Sequence, residues 1–191
     1  MSGESGVNPE DFDLLAEFNA GSEEAFARIV GKHAGPLTNF LYRYTHNRAE
    51  SEDIAQEAFL KLYKAAADLR PDAKLSTILY KVAYHLAVDR ARRRKSREDR
   101  APTQSLDAAA QGREPGSRPS ETPDAVYQAG QASAEIAAGL AALPDTQRLA
   151  ITLRAYEGRS YAEIAEILDL SVSAVEALLF RARQSLSRKL K

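Results

Sequence analysis

SYAEIAEILDLSVSAVEALLFRARQSLSRKL, residues Ser160 to Leu190, is the stretch that settles the architecture. Ser160 and Glu163 frame a capping box. The serine oxygen can accept from a free backbone N–H while the glutamate reaches back to the cap, so a helix starts at about Tyr161. Tyr161, Ile164, Ala165 and Leu168 then recur at i, i+3, i+4 and i+7, the spacing of one buried stripe. Small Ala165 allows another helix to approach closely. Asp169-Leu170-Ser171 supplies a break, and Val172, Val175, Leu178, Leu179, Ala182 and Leu186 are available for packing along a second helix. Two short helices joined by a tight turn form a helix-turn-helix, whose second helix can enter a DNA major groove. Two readings of Glu176 stay open: a second capping box over Ser173-Ala174-Val175-Glu176, or a carboxylate accepting from a cytosine edge.

Working outward, Arg181, Arg183, Arg188, Lys189 and Lys191 crowd the end of that second helix, with no acidic residue after Glu176. Cations there complement the helix dipole and equally suit phosphates. A second basic run, Arg90, Arg92, Arg93, Arg94, Lys95, Arg97 and Arg100, ends another helical block. The formal net charge of −1 hides this placement, because acidic groups dominate before Arg28. Two separated cationic clusters point to a polyanion.

A 191-residue chain with 44% hydrophobic residues suits one domain or two small ones. With no cysteine, disulfides and thiolate metal sites are excluded. The longest apolar runs are too short to span a bilayer, and the acidic start MSGESGVNPEDFD is unlike a basic leader, so a cytoplasmic protein is expected. Pro102, Pro115, Pro119 and Pro123, set among Ser, Gly, Gln and Ala, mark residues 101–129 as a flexible linker. It divides the chain into 1–100, whose first residues are expected to be disordered, and 130–191. Both blocks read as all-α, since apolar residues recur at helical spacing and no run alternates strictly.

In the first block, Gly21-Ser22-Glu23-Glu24 starts a helix that would bury Phe26, Ile29 and Val30, and Gly35-Pro36 marks a break before the stripe Leu37, Phe40, Leu41 and Tyr44. Ser51 can cap a third helix with Ile54, Ala55, Ala58, Phe59 and Leu62 inward. Its other side carries Asp53, Gln56, Glu57, Leu60 and Lys64, where Leu60 is an apolar exception that suits a partner or a peripheral core contact. A last helix, about Ser76 to Lys95, packs Ile78, Leu79, Val82, Ala83, Leu86 and Ala87. Tyr80, Lys81, Tyr84, His85 and Arg92 are interleaved with them, and aromatics beside cations suit single-stranded nucleic acid. Nothing points to an enzyme: there is no Gly-rich phosphate loop or His-Glu metal spacing, and His33, His46 and His85 are scattered. No catalytic residue, metal site or cofactor is expected.

Two ordered blocks carry a family resemblance. Asp53-Ile54-Ala55-Gln56-Glu57-Ala58-Phe59-Leu60-Lys61-Leu62-Tyr63, Leu79-Tyr80-Lys81-Val82-Ala83 and Asp89-Arg90-Ala91-Arg92-Arg93-Arg94 resemble region 2 of a bacterial extracytoplasmic-function sigma factor. Leu143-Pro144, Gln147-Arg148, Glu157 to Ala165 and Arg181-Ala182-Arg183 resemble its region 4. The resemblance implies a promoter-specificity subunit with no catalytic activity of its own, with core RNA polymerase (clamp coiled coil and flap) and promoter DNA as partners. Asp53, Gln56, Glu57 and Leu60 would face the polymerase. Tyr80, Lys81, Tyr84, His85, Arg90, Arg92 and Arg93 would hold the opened −10 strand. Ser171, Ser173, Ala174, Glu176, Ala177, Arg181 and Arg183 would read the −35 duplex. An anti-sigma factor is the further partner implied, and the competing reading is a sigma mimic that titrates such an inhibitor without reading promoters. The chain has Ile78 where the family commonly has tryptophan and His85 where asparagine is usual. It has Glu176-Ala177-Leu178 where Lys-Ser-Arg is frequent. These departures leave the recognised −10 base and the −35 contacts open.

Overall fold

Several helices start where a side-chain cap, from Ser22, Asn47, Ser160 or Ser171, satisfies a free backbone N–H group of the first turn. The computed structural model describes residues 9–70, 72–98 and 138–189, and the regular elements among them are helical. α1 (Pro9–Asn19), α2 (Glu23–Thr45), α3 (Arg48–Ala65), a 3-10 turn (Ala66–Asp68) and α4 (Leu75–Glu98) form one group. α5 (Asp145–Ala155), α6 (Tyr161–Leu168) and α7 (Val172–Lys189) form the other, and a helical turn over residues 138–141 precedes α5. The linker expected over 101–129, the first eight residues, and the side chains of Lys95, Arg100, Lys189 and Lys191 lie outside the described residues.

Ser22 caps α2 as expected, accepting from the Ala25 N–H. The break expected at Gly35-Pro36 is absent, since α2 runs through Pro36 to Thr45. A proline and a glycine inside a helix oppose it by about 3–4 kcal/mol. Ile29, Leu37, Phe40 and Leu41 lie on one buried stripe of α2, each 1% exposed or less. At about 1.5–3 kcal/mol for each buried side chain, the stripe outweighs the break.

α3 also begins earlier than Ser51 suggests. Asn47 is the cap, accepting from the Glu50 N–H. Ser51 is buried inside the helix, donates to the Asn47 carbonyl and lies 2.7 Å from the Thr45 hydroxyl. The inward stripe Ile54, Ala55, Ala58, Phe59 and Leu62 is buried as expected.

α1 is an element the acidic start concealed. Leu14 and Leu15 enter the core, while buried Asp11 accepts from Lys32 at 2.7 Å and faces His33 Nε2 at 3.2 Å. Burial pushes the His33 imidazole below its ordinary value even beside that carboxylate.

The two helical groups are packed on each other: α6 lies against α4 and α5 against α2. One apolar core runs from Leu14 and Ile29 through Leu79 and Ala83 to Leu153, Ile164, Val175 and Leu179. Among the described residues, no helix is long and apolar enough to cross a membrane.

Candidate nucleic-acid interface

The helix-turn-helix is built as its sequence implies. Ser160 Oγ accepts from the Glu163 N–H at 3.2 Å, and the Ser160 N–H donates to Glu163 Oε2 at 2.8 Å. Burial opposes ionisation of Glu163, but the bonds from Ser160 and Lys74 prevail and hold its carboxyl below the ordinary value. α6 ends at Asp169, which adopts a left-handed backbone (φ 53) and lets α7 start at Val172. Ser171 Oγ accepts from the Ala174 N–H at 3.2 Å, so Ser171 caps α7. Of the two readings left open for Glu176, the capping box over Ser173 to Glu176 therefore does not form. Glu176 lies past the first turn of the helix, exposed to solvent.

α7 divides into two faces. Val175, Leu179 and Ala182 are buried, while Leu178 and Leu186 are half-buried. Val172, expected to pack, is instead 44% exposed at the first position of α7. Ser171, Ser173, Glu176, Ala177, Arg181 and Arg183 form an exposed row, with Ala174 half-buried at its edge. That row offers hydroxyls, a carboxylate, a methyl and guanidiniums, the donors, acceptors and apolar contacts that major-groove edges require. Phe180, 67% exposed, extends it.

On the first group, the outward face of α3 presents Asp53, Gln56 and Leu60, with Leu60 53% exposed. Glu57 is half-buried because Arg90, from α4, donates to it at 3.0 Å and lies 3.8 Å from Asp53. Arg94 reaches Glu50 at 3.3 Å. Part of the cationic run on α4 thus neutralises α3, whereas Arg92 and Arg93 are exposed.

The remaining sequence-selected residues of α4 lie at the junction between the groups. Tyr80 is 2% exposed, with its ring centroid 5.0 Å from that of Phe40. Its hydroxyl donates to Glu157 at 2.6 Å, and the Arg159 guanidinium lies 4.6 Å from the ring centroid. Desolvation, reinforced by Glu157, pushes the Tyr80 phenol far above its ordinary value. Lys81 and His85 both reach Asp169, at 2.6 and 2.9 Å, and half-buried Tyr84 lies beside His85 with ring centroids 5.2 Å apart. The hydrogen bond from Lys81 chiefly holds Asp169 below its ordinary value.

Sequence reasoning missed Glu157, Arg159 and Asp169 as junction residues. Glu157 also accepts from Arg43 at 3.3 Å, and Arg159 donates to Ser76 at 2.7 Å. The available signal was Gly158, flanked by opposite charges. Its φ of 64 reverses the chain after α5, and the Arg159 N–H closes onto the Leu153 carbonyl. Among the described residues, no three His, Asp or Glu side chains gather as a metal site.

Comparison with known proteins places these features. Residues 29–97 match the model for Sigma-70 region 2, and residues 133–186 match that for Sigma-70, region 4. The chain is 32% identical to the ECF RNA polymerase sigma factor SigW of Bacillus subtilis, across 93% of this chain and 95% of that protein. Its fold is similar to CnrH in complex with the cytosolic domain of CnrY, with TM-score 0.68, 25% identity, and coverage of 95% and 97% of the two chains. It also resembles the sigma factor RpoE bound to the anti-sigma factor NepR from Bartonella quintana, with TM-score 0.69, 19% identity, and coverage of 86% and 96%.

Proposed function

The chain belongs to the extracytoplasmic-function sigma factors of the sigma-70 family, and from that membership we propose that it binds core RNA polymerase and directs it to a particular set of promoters. Residues 1–100 act as region 2, residues 130–191 as region 4, and residues 101–129 as the tether between them. Asp53, Gln56, Glu57 and Leu60 dock on the polymerase clamp coiled coil. Tyr80, Lys81, Tyr84, His85, Arg90, Arg92 and Arg93 hold the opened −10 strand, where stacking and phosphate contacts offset the few kcal/mol of extruding a base. The outward row of α7, from Ser171 to Arg183, reads the −35 duplex.

The observation that carries this reading is that row: six polar, charged or small residues exposed on one side of a helix whose other side is core. A helix that served only to pack would have no need of a carboxylate and guanidiniums gathered on its outward side. An anti-sigma factor is part of the proposal, supported by the two solved structures of similar fold, each a complex with a second protein. We place the protein in the cytoplasm, with the polymerase, and assign it no turnover of its own.

The test is transcription by core polymerase plus the purified chain on a pooled genomic library. Transcripts starting at defined sites that share upstream elements are expected. A chain that associates with core polymerase but starts no transcript on any fragment would sink the promoter-reading role and leave the mimic.

A further inference from the structure

Two guanidiniums of the cationic run on α4 reach the acidic row of α3, and the pairing follows the helix repeat. Glu50, Asp53 and Glu57 are spaced three and four apart on α3, and Arg90 and Arg94 four apart on α4, so each set shares one face of its helix. Arg94 Nη1 lies 3.3 Å from Glu50 Oε2 near the start of α3. Further along, Arg90 Nη2 donates to Glu57 Oε2 at 3.0 Å, and its Nη1 lies 3.8 Å from Asp53 Oδ2. The bridge uses Oε2 of Glu57, so Oε1 has room for a second partner. The side chain of Arg90 is 32% exposed, against 40% for Glu57 and 69% for Asp53. The guanidinium thus sits behind the row, and the carboxylates stand in front of it.

We propose that Arg90 is a positioning residue of the polymerase-docking face, fixing the Glu57 carboxylate for a cationic group of the partner, a task additional to the strand contact proposed for it. The proposal rests on the assignment of Asp53, Gln56, Glu57 and Leu60 to that face. The argument is one of order. A glutamate free in solvent samples many rotamers, and a partner that binds it must freeze them. A guanidinium held on a neighbouring helix removes that freedom beforehand, so docking costs less. Arginine suits the task because its planar fork can address two carboxylates at once, whereas lysine offers a point charge. Neutralisation works in the opposite direction, since a cation beside Glu57 weakens its pull on a cationic partner. That loss is small where the groups face water and are screened by salt. Glu57 and Leu60 are three residues apart on α3, so the held carboxylate flanks an apolar side chain that is 53% exposed. An apolar anchor beside an ordered polar group is the layout of a docking site.

The experiment is a double-mutant cycle on the full chain, reading affinity for core RNA polymerase by titration of a fluorescently labelled chain. Arg90→Met keeps the apolar stem and removes the guanidinium, and Glu57→Gln keeps the size and removes the charge. The expected result is about fivefold weaker binding for Arg90→Met, with no further loss when it is added to Glu57→Gln, because Arg90 acts through that carboxylate. Unchanged or tighter binding by the Arg90→Met chain overturns the proposal. So do two losses that add in full, the outcome if the change merely damaged the fold. The reading beneath the proposal is judged by Leu60→Asp. If that chain binds core polymerase like the parent, the α3 assignment fails and the positioning role with it. If Leu60→Asp loses binding while Arg90→Met does not, the positioning role alone falls.

Discussion

The outward faces of α3 and α4 are neighbours, joined by the Arg90 bridge to Glu57, yet they differ in what covers them. On α3, Leu60 stands 53% exposed beside exposed Asp53 and Gln56. On α4, Tyr80 is 2% exposed, and Lys81 and His85 share the carboxylate of Asp169. One face is open for a partner while the other is already engaged within the chain. With the proposed roles, the polymerase-docking face stands open while the strand-reading face is covered by the helix-turn-helix.

The largest effect should come from loosening the cover. Ile164 is fully buried in α6, and Ile164→Ala should cost about 2–5 kcal/mol in chemical denaturation. Capture of core polymerase in a pull-down should persist, since the α3 face lies on the other module. Loss of capture would show that the two faces are not independent. Leu60→Asp makes the opposite demand. It should weaken capture roughly 30-fold or more, the loss of an interface hot spot of about 2 kcal/mol. An unchanged thermal melt would separate docking from folding.

Smaller effects test the capping box that sets α6 against α4. Ser160→Ala should destabilise by about 1 kcal/mol. Because the Glu163 carboxyl is held below its ordinary 4.5, its contribution is complete above that value and lost as pH falls through the lowered one. The stability gap between parent and Glu163→Gln should therefore be full at neutral pH and close in acid, as urea melts at several pH values would read. The least dramatic change concerns exposed Arg92 and Arg93. Replacing both with alanine should lower the salt dependence of promoter-complex formation by about 0.7–0.9 per lost phosphate contact. An unchanged slope would remove these residues from the DNA-facing surface.

Much of the fold was legible because its determinants are short-range. The Ser160–Glu163 box spans three residues, and the α3 stripe repeats every three or four, so both survive a reading without coordinates. The resemblance supplied what periodicity cannot: the expectation, proposed above, that the exposed face of α3 meets polymerase and that α4 meets DNA. Errors arose where a local signal met a stronger opponent. Gly35-Pro36 signals a break, but the buried stripe of α2 overrides it. Ser51 looks like a cap, but Asn47 competes for the position and takes it. Ser173 and Glu176 have capping-box spacing, but Ser171 caps first.

The amino-acid order alone determined the helical class, the helix-turn-helix and the outward position of Leu60, through caps, turn residues and apolar periods that act within a few neighbours. It did not determine that Tyr80 and Glu157, 77 residues apart, or Ser76 and Arg159, 83 apart, would meet. Nor could it show that the nitrogen-bearing side chains of α4 would divide, with Arg90 and Arg94 bound to α3, Lys81 and His85 to Asp169, and Arg92 and Arg93 exposed. A charge carries no record in sequence of which opposite charge it will find. Only the packing of α5 on α2 and of α6 on α4 brings those pairs within bonding distance and decides which surfaces stay open.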